Sequence, residues 1–181
     1  MPRARSPDLA IEALGSVHDR EGFACGVESL DRYFKVQASQ DVRRKANGVF
    51  VLTDRREPHR VLGYYALCAT ALPQGDVPVA ARTHIPRYPL VSATLVGRLA
   101  VAAAWQGEGL GALLLADAVR RAYASANSVG SSMLVVDALS EQAAAFYEAN
   151  GFVRLPHTLR LVLPMRTIAK LVGGDPQNEN R

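Results

Sequence analysis

The sequence predicts an α+β fold in which helices flank a mixed, mostly antiparallel sheet, and three features carry that expectation. Two strand-like runs, Val49 to Thr53 and Val61 to Thr70, are joined by the charged turn DRREPHR and read as a hairpin. The passage VGRLAVAAAWQGEGLGALLLADAVRRAYA, Val96 to Ala124, leads from an apolar strand through a glycine-bearing turn into an alanine- and leucine-rich crossover helix. Ser132 to Leu139 is an almost unbroken apolar run, as expected of a strand covered on both faces.

In chain order, Leu9 to Leu14 reads as a short first strand. Ser29 is placed to cap a helix whose apolar positions Leu30, Tyr33, Phe34, Ala38 and Val42 recur in steps of three and four. The hairpin follows. Leu72 to Leu90 is an irregular passage, because Pro73, Pro78, Pro86 and Pro89 bar regular helix or central strand, and a loop of that length is usually functional or disordered. After the crossover helix and the buried strand, Glu141 to Asn150 reads as a short helix ended by Gly151. A last strand, Thr158 to Leu163, runs up to Pro164.

A chain of 181 residues suits one domain, here residues 8–170 between a mobile arm, 1–7, and a polar tail, 171–181. With 49% apolar and 21% charged residues the composition is that of a soluble globular protein. No stretch is long and apolar enough to span a bilayer and no signal segment opens the chain, so a cytoplasmic location is expected. Cys25 and Cys68 lie far apart without metal-ligand spacing and read as small hydrophobes. The net charge of +4 permits an acidic partner such as RNA. Between residues 35 and 60 seven cations (Lys35, Arg43, Arg44, Lys45, Arg55, Arg56 and Arg60) face three acids. No acid stands between Asp76 and Glu108, a span that holds Arg82, His84, Arg87 and Arg98. A solvated face is the plainer account of such runs. His18, His59, His84 and His157 fall in predicted loops without a paired acid at telling spacing, so no histidine base is assigned.

The turn itself suits a phosphate. Gly107, Gly109 and Gly111 let the backbone approach a ligand, and the helix that begins there offers unpaired N–H groups and the positive end of its dipole. A nucleoside triphosphate loop is excluded because no Gly-Lys-Ser/Thr ends it. A dinucleotide fingerprint is excluded because the turn comes late in the chain and heads no repeated βαβ series.

Read with its flanks, LAV (Leu99 to Val101) followed by QGEGLG (Gln106 to Gly111) resembles the acetyl-CoA pyrophosphate loop of the GNAT acetyltransferases, Q/R-x-x-G-x-G/A after a splayed strand. VVDALSEQAAAFYEANGF, Val135 to Phe152, is similar to that family's last strand and helix, which end in a tyrosine and a glycine-phenylalanine turn. FACGVESLDRYF, QDVRR, VLGYYAL, PRYPL, GRLAV and LPMRTI fall in the order seen in GNAT toxins of bacterial toxin–antitoxin pairs.

The resemblance implies a GNAT fold with splayed central strands and acetyl-CoA as co-substrate, with no metal. By it, the backbone of Leu99, Ala100 and Val101 pairs with the pantetheine arm. Gln106, Gly107, Glu108, Gly109, Leu110, Gly111 and Ala112 hold the pyrophosphate, and Phe146 is a further cofactor contact. Tyr147 is the proton donor to the leaving sulfur; without the family, Phe146 and Tyr147 read as core aromatics. The implied acceptor is the α-amino group of aminoacyl-tRNA, held by Lys35, Arg43, Arg44, Lys45, Arg82, Arg87 and Arg98, although Arg98 equally suits a pair with an acid. Asp137 and Glu141 are alternative bases, with helix capping the plainer role for Asp137. The implied partners are a ribbon-helix-helix antitoxin and a second copy of the chain. Two other readings stay open: acetylation of a small amine, an antibiotic or a protein N-terminus, and a non-catalytic CoA-binding module.

Overall fold

The computed structural model describes residues 6–172. The expected arm and tail lie outside the described residues apart from Ser6, Pro7, Leu171 and Val172. Seven strands follow the order β1-β2-β3-β4-β5-β7-β6, where β1 is Leu9–Ala13, β2 Gly48–Asp54, β3 Glu57–Pro73, β4 Leu90–Val101, β5 Met133–Asp137, β6 Val153–Arg154 and β7 Arg160–Pro164. The β4–β5 pair is parallel, and the other described pairings are antiparallel. Two compact units divide the chain: Met1–Leu67 with Arg98–Asp117, and Cys68–Gly97 with Ala118–Arg181.

In the first unit, β1 pairs with β2 from Leu9 opposite Asp54 to Ala13 opposite Phe50, and β2 pairs with β3, irregularly around Thr53. The hairpin turn is tighter than expected, because β3 already begins at Glu57. The helical segment starts at Glu28 (α1, Glu28–Arg32), so its N-cap is Val27 and not Ser29. It widens into a π-turn over Tyr33–Gln37 and ends as α2, Ala38–Arg43. The expected face is the one that packs: Tyr33, Phe34 and Ala38 join Phe23, Val49, Val51, Val61, Tyr64 and Ala100 in one core, with Leu30 and Val42 at its margin. Phe34 stacks on Tyr64 with ring centroids 4.4 Å apart.

Gly63 brings the crossover helix (α3, Leu110–Ser125) down onto the sheet. A Cβ there would stand 2.8 Å from Leu114 Cδ1 and 2.9 Å from the Ala100 carbonyl oxygen, closer than van der Waals contact. The Tyr65 hydroxyl donates to Asp117 Oδ2 at 2.6 Å and fixes the helix along its axis.

In the second unit, β5 is almost wholly buried and pairs with β7 from Met133 opposite Pro164 to Asp137 opposite Arg160. Its core gathers Leu72, Val77, Ile85, Val91, Ala93, Met133, Val135, Leu155 and Val162. The proline-rich passage is irregular as expected, with short 3-10 turns at Gln74–Asp76 and Val79–His84. Three elements exceed the sequence reading. β4 starts at Leu90, the two-residue β6 lies beside β7, and Met165–Leu171 forms a further helix, α5, with Ile168 buried. The pairing of β4 with β5 runs from Ala93 opposite Met133 to Val96 opposite Val136, while β4 continues to Val101.

Candidate active site

The turn after β4 begins with a 3-10 segment, Ala103–Trp105. Gly107 and Gly109 adopt φ of +80° and +79°, the left-handed region open to glycine, and a Cβ on either would meet nothing within 4 Å. Gly111 lies within α3 and needs no such freedom. Leu113 N–H donates to Gly109 O at 3.2 Å, whereas the N–H groups from Gly107 to Ala112 make no backbone hydrogen bond among the described residues. A 16-residue helix with no acid in its first turn stands behind them, so donors and dipole both favour an anion. Exposed Glu108 precedes the helix and can contribute only its backbone to such a ligand. The backbone geometry therefore fits a pyrophosphate.

Gln106 has a different part. Its Nε2 donates to the Cys25 carbonyl at 2.8 Å and to the Val101 carbonyl at 3.0 Å, so the side chain ties the loop to the N-terminal segment and to the end of β4. Cys25 is itself held, its N–H donating to Asp31 Oδ1 at 2.7 Å. Burial, reinforced by Asp31, pushes the Cys25 thiol up to about 11, which leaves it protonated and unreactive near neutral pH.

In the second unit, Tyr147 sits on α4, Glu141–Ala149. The cap of that helix is Ser140, whose hydroxyl accepts from Ala143 N–H at 3.1 Å; Asp137 does not cap it. Gly151, at φ +92°, closes the helix, and Phe152 N–H returns to the Tyr147 carbonyl at 3.1 Å. The Tyr147 ring packs edge-on against Phe146 and Phe152, with centroids 5.1 and 5.6 Å away. Its hydroxyl has no hydrogen-bond partner among the described residues, yet no sealed side-chain oxygen or nitrogen is left unpaired, so the hydroxyl reaches the surface. Burial alone pushes its pKa up to about 12. The arrangement is a buried ring that presents one protonated hydroxyl.

The two alternative bases are engaged. Asp137 accepts from Arg160 at 2.7 and 2.9 Å, and Glu141 from Arg154 at 2.6 and 2.8 Å; Arg154 holds the Glu141 carboxyl below its usual range. A lowered pKa makes a poorer base. Against the expectation of unpaired histidines, His18 is buried, accepts from Gly15 N–H at 2.9 Å and stands 3.0 Å from Glu12 Oε1. One ring nitrogen thus closes the turn at Gly15 while the other faces Glu12.

The cations expected to hold RNA differ in how far the structure leaves them free. Arg43, Arg44 and Lys45 are exposed at the end of α2, with Lys45 at φ +60°, and Arg87 is exposed in the proline-rich passage. Lys35 is half-buried in the π-turn. Arg82 is exposed but braced, its Nε and Nη2 donating to the carbonyls of Val77 and Gly75 at 2.7 and 2.9 Å. Arg98 lies over the Tyr33 ring, 3.6 Å from its centroid. Asp41 accepts from Tyr33, Gln37 and Asn47 at 3.1, 2.9 and 2.8 Å, a node that sequence spacing does not announce. Gln37 first of these holds the Asp41 carboxyl below its usual range. Among the described residues no group of three or more His, Cys, Asp or Glu could hold a metal, and no helix is long and apolar enough to cross a membrane.

Residues 45–154 match the family model described as an acetyltransferase (GNAT) domain. A tRNA-acetylating toxin of Mycobacterium tuberculosis is 34% identical over 165 residues, which are 91% of this chain and 96% of that one. Among solved structures, AtaT complexed with acetyl-methionyl-tRNAfMet is 31% identical with a TM-score of 0.84, covering 91% of this chain and 99% of that chain. A tyrosine-to-phenylalanine mutant of AtaT bound to the C-terminus of the antitoxin AtaR and acetyl-CoA is 29% identical with a TM-score of 0.77, covering 92% and 99%.

Proposed function

We propose that this chain, which belongs to the GNAT acetyltransferase family, moves the acetyl group of acetyl-CoA onto the α-amino group of aminoacyl-tRNA and so stops translation. The observation that carries the reading is the likeness, over nine-tenths of the chain, to a toxin seen with acetylated methionyl-tRNA. An α-amine has a pKa of about 7.7–8.0, so a sizeable fraction is neutral near pH 7.5 and needs little help from a base. Engaged Asp137 and Glu141 are consistent with that economy.

The amine nitrogen attacks the thioester carbonyl, the carbon–sulfur bond breaks, the sulfur takes a proton and the nitrogen loses one. Tyr147 is the donor to the sulfur in this scheme, and its raised pKa keeps the proton in place at working pH. Gly107 to Ala112 hold the pyrophosphate through their N–H groups, with Gln106 fixing the loop. The backbone of Leu99, Ala100 and Val101, beyond the end of the β4–β5 pairing, takes the pantetheine arm, and Phe146 adds an apolar contact. Lys35, Arg43, Arg44, Lys45, Arg82 and Arg87 meet RNA phosphates. A ribbon-helix-helix antitoxin, a homodimer and a cytoplasmic location complete the proposal.

The test is transfer of labelled acetyl from acetyl-CoA to charged tRNAs, with uncharged tRNA, free amino acids and peptides alongside. Label on charged tRNA that is released on ester hydrolysis is expected. Label on peptides or small amines alone would overturn the tRNA reading and keep the acetyltransferase.

A further inference from the structure

Arg98 and Tyr33 form a stacked pair that the transfer chemistry leaves unused. The Arg98 guanidinium carbon lies 3.6 Å from the Tyr33 ring centroid. A cation set this close over the ring is held by the negative face of its π system. Tyr33 is immobilised from both ends. Its hydroxyl donates to Asp41, and its ring is backed by Tyr64, 6.3 Å away and 23° inclined, which stacks in turn on Phe34. Asp41 is occupied by Tyr33, Gln37 and Asn47; Arg98 attracts it from a distance without forming an ion pair among the described residues. Arg98 is half-exposed, so the guanidinium seated over Tyr33 still shows part of itself to solvent.

Tyr33 also lines an open cavity of about 470 Å³ with Glu28, Ser29, Arg32, Val36 and Gln37. The Ser29 hydroxyl and Gln37 Oε1 have no partner among the described residues, so a donor and acceptors stand ready beside the stacked pair. On the other side, Arg98 directly precedes Leu99–Val101, where the proposed function puts the pantetheine arm.

We propose that Arg98, seated on Tyr33, is a stacking platform for an unpaired nucleobase at the 3′ end of charged tRNA, with the neighbouring cavity reading that base's edge. The inference rests on the tRNA reading above. Splayed single-stranded bases stack on guanidinium planes as they do on aromatic rings, and an Arg already locked on a tyrosine gives up little freedom in doing so. A phosphate, by contrast, is held by guanidinium edges and its contact is salt-sensitive.

The experiment compares wild type, Arg98→Ala and Arg98→Lys on charged RNA minihelices, intact or with one unpaired base removed to leave an abasic sugar. Acetyl-CoA affinity, measured by calorimetry, should match across the three proteins and so report an intact fold. Removing the stacked base should raise the wild-type KM roughly 5- to 100-fold at nearly constant kcat. Arg98→Ala should raise it comparably on intact RNA and add little once the base is gone, and Arg98→Lys should behave like Arg98→Ala. The dependence of KM on salt should keep its slope. A platform is overturned if Arg98→Lys retains the wild-type KM, if Arg98→Ala flattens the salt slope by about 0.7, or if every abasic RNA affects wild type and Arg98→Ala equally. A wild-type enzyme that acetylates no charged RNA removes the tRNA reading itself, and the platform with it.

Discussion

Gln106 donates through Nε2 to the backbone carbonyl of Cys25 at 2.8 Å, joining residues 81 positions apart. The glutamine of the glycine-rich motif thus shapes the loop through its side chain. Gln106→Glu removes the donor and sets a carboxylate against two carbonyls. Weakened acetyl-CoA binding is expected, about tenfold for each hydrogen bond lost at the upper end of its usual worth. Calorimetry on Gln106→Glu and Gln106→Ala checks this, and affinity equal to wild type in both would show that the loop holds its shape without them.

Tyr147 touches its neighbours through its ring, and its hydroxyl is unshared among the described residues. Tyr147→Phe keeps the packing and should lower kcat by about 10²- to 10⁴-fold, with acetyl-CoA and RNA affinities within about twofold of wild type. Because burial raises this hydroxyl to about 12, it stays protonated, and kcat/KM should climb through the amine pKa of about 7.7–8.0 and then stay level to about pH 10. A fall centred near pH 9 would assign the proton to another group.

Lys45 ends α2 at φ +60°, a conformation that strains any residue with a Cβ, while its ammonium belongs to the exposed basic cluster. Lys45→Gly separates the two effects: thermal unfolding should show a gain of up to about 1 kcal/mol, and RNA binding should weaken. A loss of stability would mean that the side chain holds the helix end.

Arg43 and Arg44 occupy the last turn and C-cap of α2, without ion pairs among the described residues. If both meet phosphates, Arg43→Ala with Arg44→Ala should reduce the slope of log affinity against log salt by about 1.4. An unchanged slope in a titration from low to moderate salt would remove them from the RNA site.

Alkaline stability follows from the buried acids. Cys25 is raised from 9.0 to about 11 and Tyr147 from 10.0 to about 12, and burial raises Tyr64 as well. For each, the folded state holds the proton more tightly than the unfolded state. Their contribution is therefore complete below the unfolded pKa and is lost as pH rises through the folded one. Denaturant midpoints should fall between about pH 9 and pH 11, and Cys25→Ala should flatten the early part of that fall. An identical fall in Cys25→Ala would place the effect on the tyrosines alone.

Local physics made much of this protein legible in its sequence. Glycine at 107 and 109 is needed for φ near +80°, and glycine at 151 for +92°, so the turn before α3 and the end of α4 follow from residue type. The apolar steps from Leu30 to Val42 mark the buried face of α1 and α2, and the uninterrupted run in β5 marks a strand covered on both sides. What the sequence left undetermined depends on partners distant along the chain. Gln106 meets Cys25, Asp41 gathers Tyr33 and Asn47, Asp137 turns to Arg160 instead of the helix beside it, and Arg98 finds Tyr33. A hydrogen bond or a stacking contact is decided by where a side chain's atoms lie in space, and periodicity carries no such information. The glycine turns at 107, 109 and 151 and the buried faces of the main strands and helices were set by the sequence itself; which charged groups stand free and which are spent on structure was decided by tertiary packing.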